Sequence, residues 1–515
     1  MESLHDSPIC FPQPVIISVS VLSARTVAVL KPLAILIAAF ALFVLIDRRL
    51  AFLEDETIDV TAAQKPVLEI ARSFTAGHDR LEHPPLAEVL LHYWLPVAGI
   101  HPRLLRLPAM LLYFAGVTLY ACVARRFAGR RAFYAMLWIG ALWPFGLHFG
   151  RLIGWYCLSF FLVAAVTLAY LRYIETQNWP RGIALVVVSV LLLYSNYFGW
   201  AIVGCLVVDF IVTNRSRRAV RSAQAFLFTL ALLYVPVWRA FIEEFRQHAG
   251  LDWQAFGSRS IQAGYSLYSV FVSESLAPWF WAFSVPVSAA IVLLLYSLLT
   301  AKSDLSRRFI VYFVALFIIM SGLGIITTKR LLLISGWLLL PIAVSLVRRA
   351  IVIPAIFIAA MGWMGFLAQK YYAAPHFIEP WSRIAGQAAA AIKSGDIVIS
   401  DSPAFLFELN YALERSGLAS PGVPRYADHP RVIGIDRWRD GMLPQPATVF
   451  FVKGVNINFT EETAGLERRL KSLCAQTSDV ELLPDSGFAL KSWWFPESGQ
   501  LPFRISVQTY GCRGL

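Results

Sequence analysis

The residues best suited to chemistry stand in two short stretches, "FLEDETIDV" at 52–60 and "LEHPPL" at 81–86. They bring Glu54, Asp55, Glu56, Asp59, Glu82 and His83 close together in the sequence. A carboxylate can take the proton of an attacking hydroxyl, and carboxylates with an imidazole can hold a divalent cation. The two prolines after Glu82 and His83 stiffen the backbone there, so both side chains would be presented in a fixed place, within reach of Asp55 if the intervening segment folds back. Solvated turns also carry acidic residues routinely, and the residues alone leave that reading open.

Positive charge of the kind that binds phosphate occurs in two further places. Lys329 and Arg330 stand in "TTKRLLL" and Arg151 in "HFGRLIGWY". A guanidinium meets phosphate oxygens through paired hydrogen bonds. Ordinary anchoring or snorkelling at a helix end is the competing account of all three. Cys122, Cys157 and Cys205 fall in apolar runs and read as small packing residues. Cys474 and Cys512 fall near the end of the chain, where an oxidising compartment would permit a disulfide.

The elements that must position these residues belong to a membrane protein. Of 515 residues 57% are hydrophobic and 15% charged, against a usual charged share of roughly 25%. Apolar runs approach the ~20 residues that cross a bilayer. The net charge of +12 is gathered in short loops such as "ARRFAGRR", "TNRSRRAVRS" and "TAKSDLSRRF". Alternate loops are basic, so the charge reads as topology and not as a nucleic-acid surface. Eleven spans are expected, at about 28–46, 104–123, 132–149, 157–174, 182–196, 198–212, 224–240, 276–299, 309–325, 331–347 and 351–368. The first lacks the pattern of a cleaved signal and reads as a retained anchor. With the basic loops in the cytoplasm, two segments lie outside. One is the loop 47–103, whose "VTAAQKPVLEIARSF" has the spacing of an interfacial helix. The other is the tail 369–515, where "GDIVISD" and "ATVFFVKG" read as strands between helical runs at 380–393, 403–415 and 462–474, a small α/β domain. The division is thus 1–368, membrane module, and 369–515, outer domain.

A family resemblance rests on the order of several pieces. They are "EDET" at 54–57, "LEHPPLAEVLLHYW" at 81–94, "RLPAMLLYFAGVTLYACVARRFAGRRA" at 106–132, "PFGLHFGRLIGWYCL" at 144–158, "YSNYFGW" at 194–200 and "KRLLLISGWLLLP" at 329–341. Over roughly residues 30–350 the chain resembles the GT-C glycosyltransferases, within them the protein O-mannosyltransferase and lipid A aminoarabinose transferase group. The resemblance implies a polytopic α-helical fold of GT-C type with an extracytoplasmic α/β domain. It implies transfer of a hexose or pentose from a polyprenyl-phosphate donor to a hydroxyl of a lipid, glycan or protein acceptor, with inversion, at the periplasmic face of a bacterial inner membrane. By position it makes Asp55 the base and Glu56 a helper or structural carboxylate. Glu82 and His83 would edge the donor or acceptor site, with a divalent cation as a candidate cofactor, and Arg330, Lys329 and Arg151 would face the donor phosphate.

The chain departs from the pattern in two places. Mannosyltransferases carry an acidic residue shortly after the arginine, where this chain has Gly154, Trp155 and Tyr156, and Asn196 stands where many relatives have histidine. The loop "HAGLDWQAFGSRS" at 248–260 is expected outside, in the place of a mobile lid. Two other classes fit a basic-inside, multi-pass chain. A transporter or flippase would concentrate its charges within the membrane, often in paired halves, and no internal repeat is visible. A non-catalytic scaffold would tolerate loss of Asp55, Glu82 and Arg330.

Overall fold

The computed structural model describes residues 19–47, 54–76, 83–99, 101–248, 256–276, 278, 281–300, 304–346, 349–368, 381–391, 396–400, most of 405–413, 432–434, 447–454, 461–482 and 505–512. Glu82 and the segment 249–255 lie outside them.

Long apolar runs without the alternation that makes strands form helices through most of the chain. They are α1 (Val19–Asp47), α2 (Glu54–Ala63), α3 (Val67–Ala76), α4 (Leu86–Ala98), α5 (Pro102–Leu142), α6 (Pro144–Phe149), α7 (Trp155–Thr176) and α8 (Trp179–Ser195). There follow α9 (Gly199–Asn214), α10 (Arg217–Leu233), α11 (Trp238–His248), α12 (Phe256–Val272), α13 (Trp281–Leu299), α14 (Asp304–Gly322), α15 (Leu332–Ser345) and α16 (Arg349–Ala368). A helix overlaps each of the eleven expected spans. Among the described residues four helices are long and apolar enough to cross a membrane: α5, α7, α13 and residues Ala350–Leu367 of α16. A bent pair, Arg217–Leu233 with Val235–Glu243, would make a fifth span. The expected spans 104–123 and 132–149 fall on the two arms of α5, which meet at non-helical backbone at Ala128 and Gly129; the second arm ends at Leu142, and α6 takes up the rest of 132–149. The expected outer loop at 248–260 is in part helical, since α12 starts at Phe256.

The bundle packs most tightly where α1, α5, α7 and α15 meet. Phe43 of α1 stacks on Tyr113 of α5, which in turn stacks on Phe160 of α7. Close approach depends on small residues, because lipid offers no hydrophobic drive for helices to associate. A Cβ on Gly336 of α15 would lie 2.1 Å from the Tyr120 ring of α5. Trp337 beside it donates its indole N–H to Thr167 of α7 at 2.9 Å.

The tail adds α17 (Trp381–Ala391), β1 (Ile397–Ser400), β2 (Val432–Gly434), β3 (Ala447–Gly454), α18 (Glu461–Leu473), β4 (Ala475–Leu482) and β5 (Ile505–Cys512). The sheet order is β2-β1-β3-β5-β4. β1 runs parallel to β2 and β3, while β5 is antiparallel to β3 and β4. Two apolar clusters cover its faces, one around Val398, Phe405 and Val452, the other around Phe451, Leu470 and Tyr510. A disulfide joins Cys474 to Cys512, with Cα atoms 4.3 Å apart.

Candidate functional site

The helix α2 opens with Glu54, Asp55 and Glu56. Carboxylates in a first turn suit the positive end of the helix dipole, which favours starting a helix here. One further turn brings Asp59, so Asp55 and Asp59 share a face while Glu56 points to another. The three carboxylates end in three different environments.

Asp55 is partly exposed and forms an ion pair with Lys329 through Oδ2 and Nζ. The Tyr156 hydroxyl donates to the same oxygen at 3.3 Å. The Lys329 ammonium also sits 5.7 Å from the centre of the Tyr156 ring. Tyr156 stands at the start of α7, and Lys329 opens the 3-10 turn Lys329–Leu331 before α15. The fold therefore joins a carboxylate of α2 to a cation that stands just before α15. Tyr156 occupies the stretch where mannosyltransferases carry an acidic residue, and here it supplies a hydroxyl instead.

Glu56 is 1% exposed. Arg106 of α5, 2% exposed, binds it through both carboxylate oxygens, with Nε to Oε1 at 2.9 Å and Nη2 paired to Oε2. The backbone N–H of Ile153 adds a third donor at 3.0 Å. So matched a pair fixes α2 against α5 and against the turn before α7. Arg106 opens one of the stretches that carry the resemblance, yet its partner lay fifty residues away and no spacing rule links them.

Asp59 and His83 meet Glu88 of α4, a residue the acidic stretches did not include. His83 Nε2 lies 3.6 Å from Asp59 Oδ1 and 3.5 Å from Glu88 Oε1. All three are buried, at 5%, 6% and 0% exposure respectively. Burial alone would lower the His83 pKa, but Glu88 and Asp59 outweigh it and raise it. Burial raises that of Glu88, against the pull of His83 and with the help of Asp59. The Trp155 ring closes one side, its centre 5.7 Å from that of His83. Gly154 closes another: its φ is +112°, and a Cβ there would stand 2.1 Å from Asp59 Oδ2. The glycine that departs from the family pattern is thus required twice, by its backbone and by the carboxylate against it.

The remaining cations are held by contacts of their own. Arg330 donates from Nη1 to Ile325 O at 3.1 Å, and its N–H meets Thr327 Oγ1 at 3.4 Å. The Arg259 guanidinium packs against Gly324, within 3.0 Å of where a Cβ would be. Arg151 is 2% exposed and donates from Nε to His148 O at 3.1 Å. His148 in turn meets Ser273 Oγ at 3.1 Å. Asn196 accepts the Phe198 N–H at 2.7 Å and so shapes the turn between α8 and α9. Beneath α4 lies an apolar cavity of about 430 Å³ lined by Leu90, Tyr93, Trp94, Leu112, Ile153 and Gly154 among others.

No protein-family model matches the chain, and no curated protein is similar to it in sequence. Solved structures are similar in fold. ArnT from Cupriavidus metallidurans bound to undecaprenyl phosphate superposes with a TM-score of 0.53 at 14% identity, covering 94% of this chain and 98% of that one. The apo state of the same protein gives a TM-score of 0.46 at 15% identity over the same shares. Likeness to the first extends over nearly the whole length, sheet included, and shows a shared fold.

Proposed function

We propose that the protein is a membrane glycosyltransferase that takes a sugar from a polyprenyl-phosphate donor and places it, with inversion, on an acceptor hydroxyl. The observation that carries this reading is the meeting of Asp55 with Lys329 and Tyr156, which sets a carboxylate and an ammonium side by side at one partly open place. It is supported by the fold shared with a protein bound to undecaprenyl phosphate.

The chemistry follows from those groups. The acceptor oxygen attacks the anomeric carbon, and its proton passes to the Asp55 carboxylate. The bond from that carbon to the phosphate oxygen breaks, and the electron pair leaves with the phosphate. Lys329 and Arg330 offer positive charge to the phosphate as it gains negative charge. Tyr156 holds the Asp55 carboxylate in place by its hydrogen bond. Arg151, bonded back to His148, supports the turn that carries Tyr156. In this reading the protein lies in a bacterial inner membrane with the site facing the periplasm, and the tail 369–515 positions the acceptor, a lipid, glycan or protein.

The test uses the full chain purified in detergent with a panel of polyprenyl-phosphate sugars and a cell-envelope extract as acceptor. Release of polyprenyl phosphate by the wild type, abolished in a folded Asp55→Asn variant, is the expected result, and the active donor identifies the sugar. Equal release by Asp55→Asn would remove Asp55 as base.

A further inference from the structure

We propose that Asp59, His83 and Glu88 form a binding site for one divalent cation of the zinc class, which ties α2 to the start of α4. The geometry of these three side chains stands independently of the glycosyltransferase reading. A tetrahedral ion with ligand bonds of about 2.1 Å needs ligand atoms about 3.4 Å apart. His83 Nε2 stands 3.6 Å from one carboxylate oxygen and 3.5 Å from the other. One ligand atom from each residue can be chosen so that none is farther than 4.8 Å from another. Two carboxylates and one imidazole are a donor set that zinc and similar first-row ions accept, with a fourth position left for water.

Hydrogen bonding points the same way. Both oxygens of Glu88 accept no hydrogen bond among the described residues, although the side chain is wholly buried. Its compensation is limited to the ion pair with His83 at 3.5 Å, with no hydrogen bond added. His83 Nδ1 faces Pro84 O at 3.3 Å. A carbonyl can only accept, so Nδ1 carries the hydrogen of that contact and Nε2 is the ring atom left facing the two carboxylates. A shared cation would take the place of the proton between Nε2 and the carboxylates, and the Pro84 carbonyl then plays the orienting part usual beside a metal-bound histidine. The surroundings fit a fixed ion: Trp155 and Gly154 leave little room for side chains to swing away.

The site differs from the pairing of Glu82 and His83 with Asp55 that the sequence suggests, because its carboxylates are Asp59 and Glu88. Its role is to fix α2 one turn from Asp55. The experiment strips the full chain in detergent with a chelator, dialyses it against zinc, and measures bound metal and thermal midpoint. Glu88→Gln and His83→Gln are measured beside the wild type, since both keep the shape of the cluster. The expected result is about one zinc per wild-type chain, with a higher midpoint when loaded, and affinity weaker by at least about tenfold in each variant. Equal zinc in wild type and variants would place the metal elsewhere and overturn the proposal. So would no retained zinc with a midpoint indifferent to chelation, the behaviour of a cluster bridged by protons alone. Neither readout depends on turnover, so failure of the proposed enzyme activity leaves the test intact.

Discussion

Asp55 and Glu56 are neighbours on one helix and carry the same functional group, yet the fold treats them oppositely. Glu56 is sealed between two guanidinium nitrogens of Arg106 and the Ile153 amide. Asp55 is left partly open, with one lysine and one tyrosine against a single oxygen. A carboxylate with both oxygens engaged by three donors holds helices together but has little capacity to accept a proton from a substrate. One whose contacts among the described residues fall on a single oxygen, and whose partner is displaceable, retains it. Adjacent acidic residues in a sequence are therefore separable by counting donors, and the contrast can be tested at each carboxylate.

The largest effect is expected in rate. Asp55→Asn should lower turnover by about 10²- to 10⁴-fold while leaving the thermal midpoint nearly unchanged, as for loss of a general base. A comparable fall in stability with activity per folded molecule retained would reverse the assignment of the two residues. Glu56→Gln should do the opposite. Removing one charge of a buried pair costs roughly 3–5 kcal/mol, because Arg106 is left uncompensated, and thermal unfolding in detergent reads it. Gly154→Ala comes next, with an expected loss of about 1–3 kcal/mol from backbone strain, enlarged by the collision with Asp59. An unaltered midpoint would show that the turn before α7 relaxes freely.

The smallest effect extends the contrast to the sheet. Glu467 resembles Glu56 in being well supplied with donors: Lys453 at 2.5 Å, Lys471 at 2.8 Å and Gln508 at 3.1 Å. Burial works to raise its pKa, but these donors prevail and hold it at about 2. The folded state thus binds its proton less readily than the unfolded chain, whose ordinary value is about 4.3. Its contribution to stability is present above that value and is lost as pH falls towards 2. Glu467→Gln should flatten the decline of the midpoint across that acid range, and an equally steep decline would assign it to other groups.

Much of the scaffold was legible because it depends on local pattern. Apolar runs, basic loops and the strands β1 and β3 all announce themselves by composition and periodicity. β5 does not, since its inward face carries Ser506, Gln508, Tyr510 and Cys512. Those polar groups are buried because Glu467 and Asp479 bond them, a compensation invisible along one strand. The candidate site divides in the same way. Asp55, Lys329, His83 and Glu56 stand out as charges beside apolar sequence. Arg106 and Glu88 do not, because each stands near the start of an apolar helix and reads as an ordinary end residue. The spacing of Asp55 and Asp59 offered a clue, as it puts both on one helix face. Which partner each would meet is set by packing of distant helices.

The break in α5 at Ala128 and Gly129 bears on which side of the bilayer the site opens. Arg125, Arg126, Arg130 and Arg131 crowd this bend, all of them exposed, and Arg126 pairs with Glu175 at the foot of α7. Carrying an arginine through the hydrocarbon costs about 2.5–3.5 kcal/mol by insertion scales. A hairpin tipped with four of them enters the bilayer with its tip held back on the side of synthesis, and both of its arms must then emerge on the other. One arm ends next to α4 and the other next to the turn that carries Tyr156. On the proposed reading, the side to which Asp55 opens is thus decided during insertion, at a bend that carries none of the site's own carboxylates.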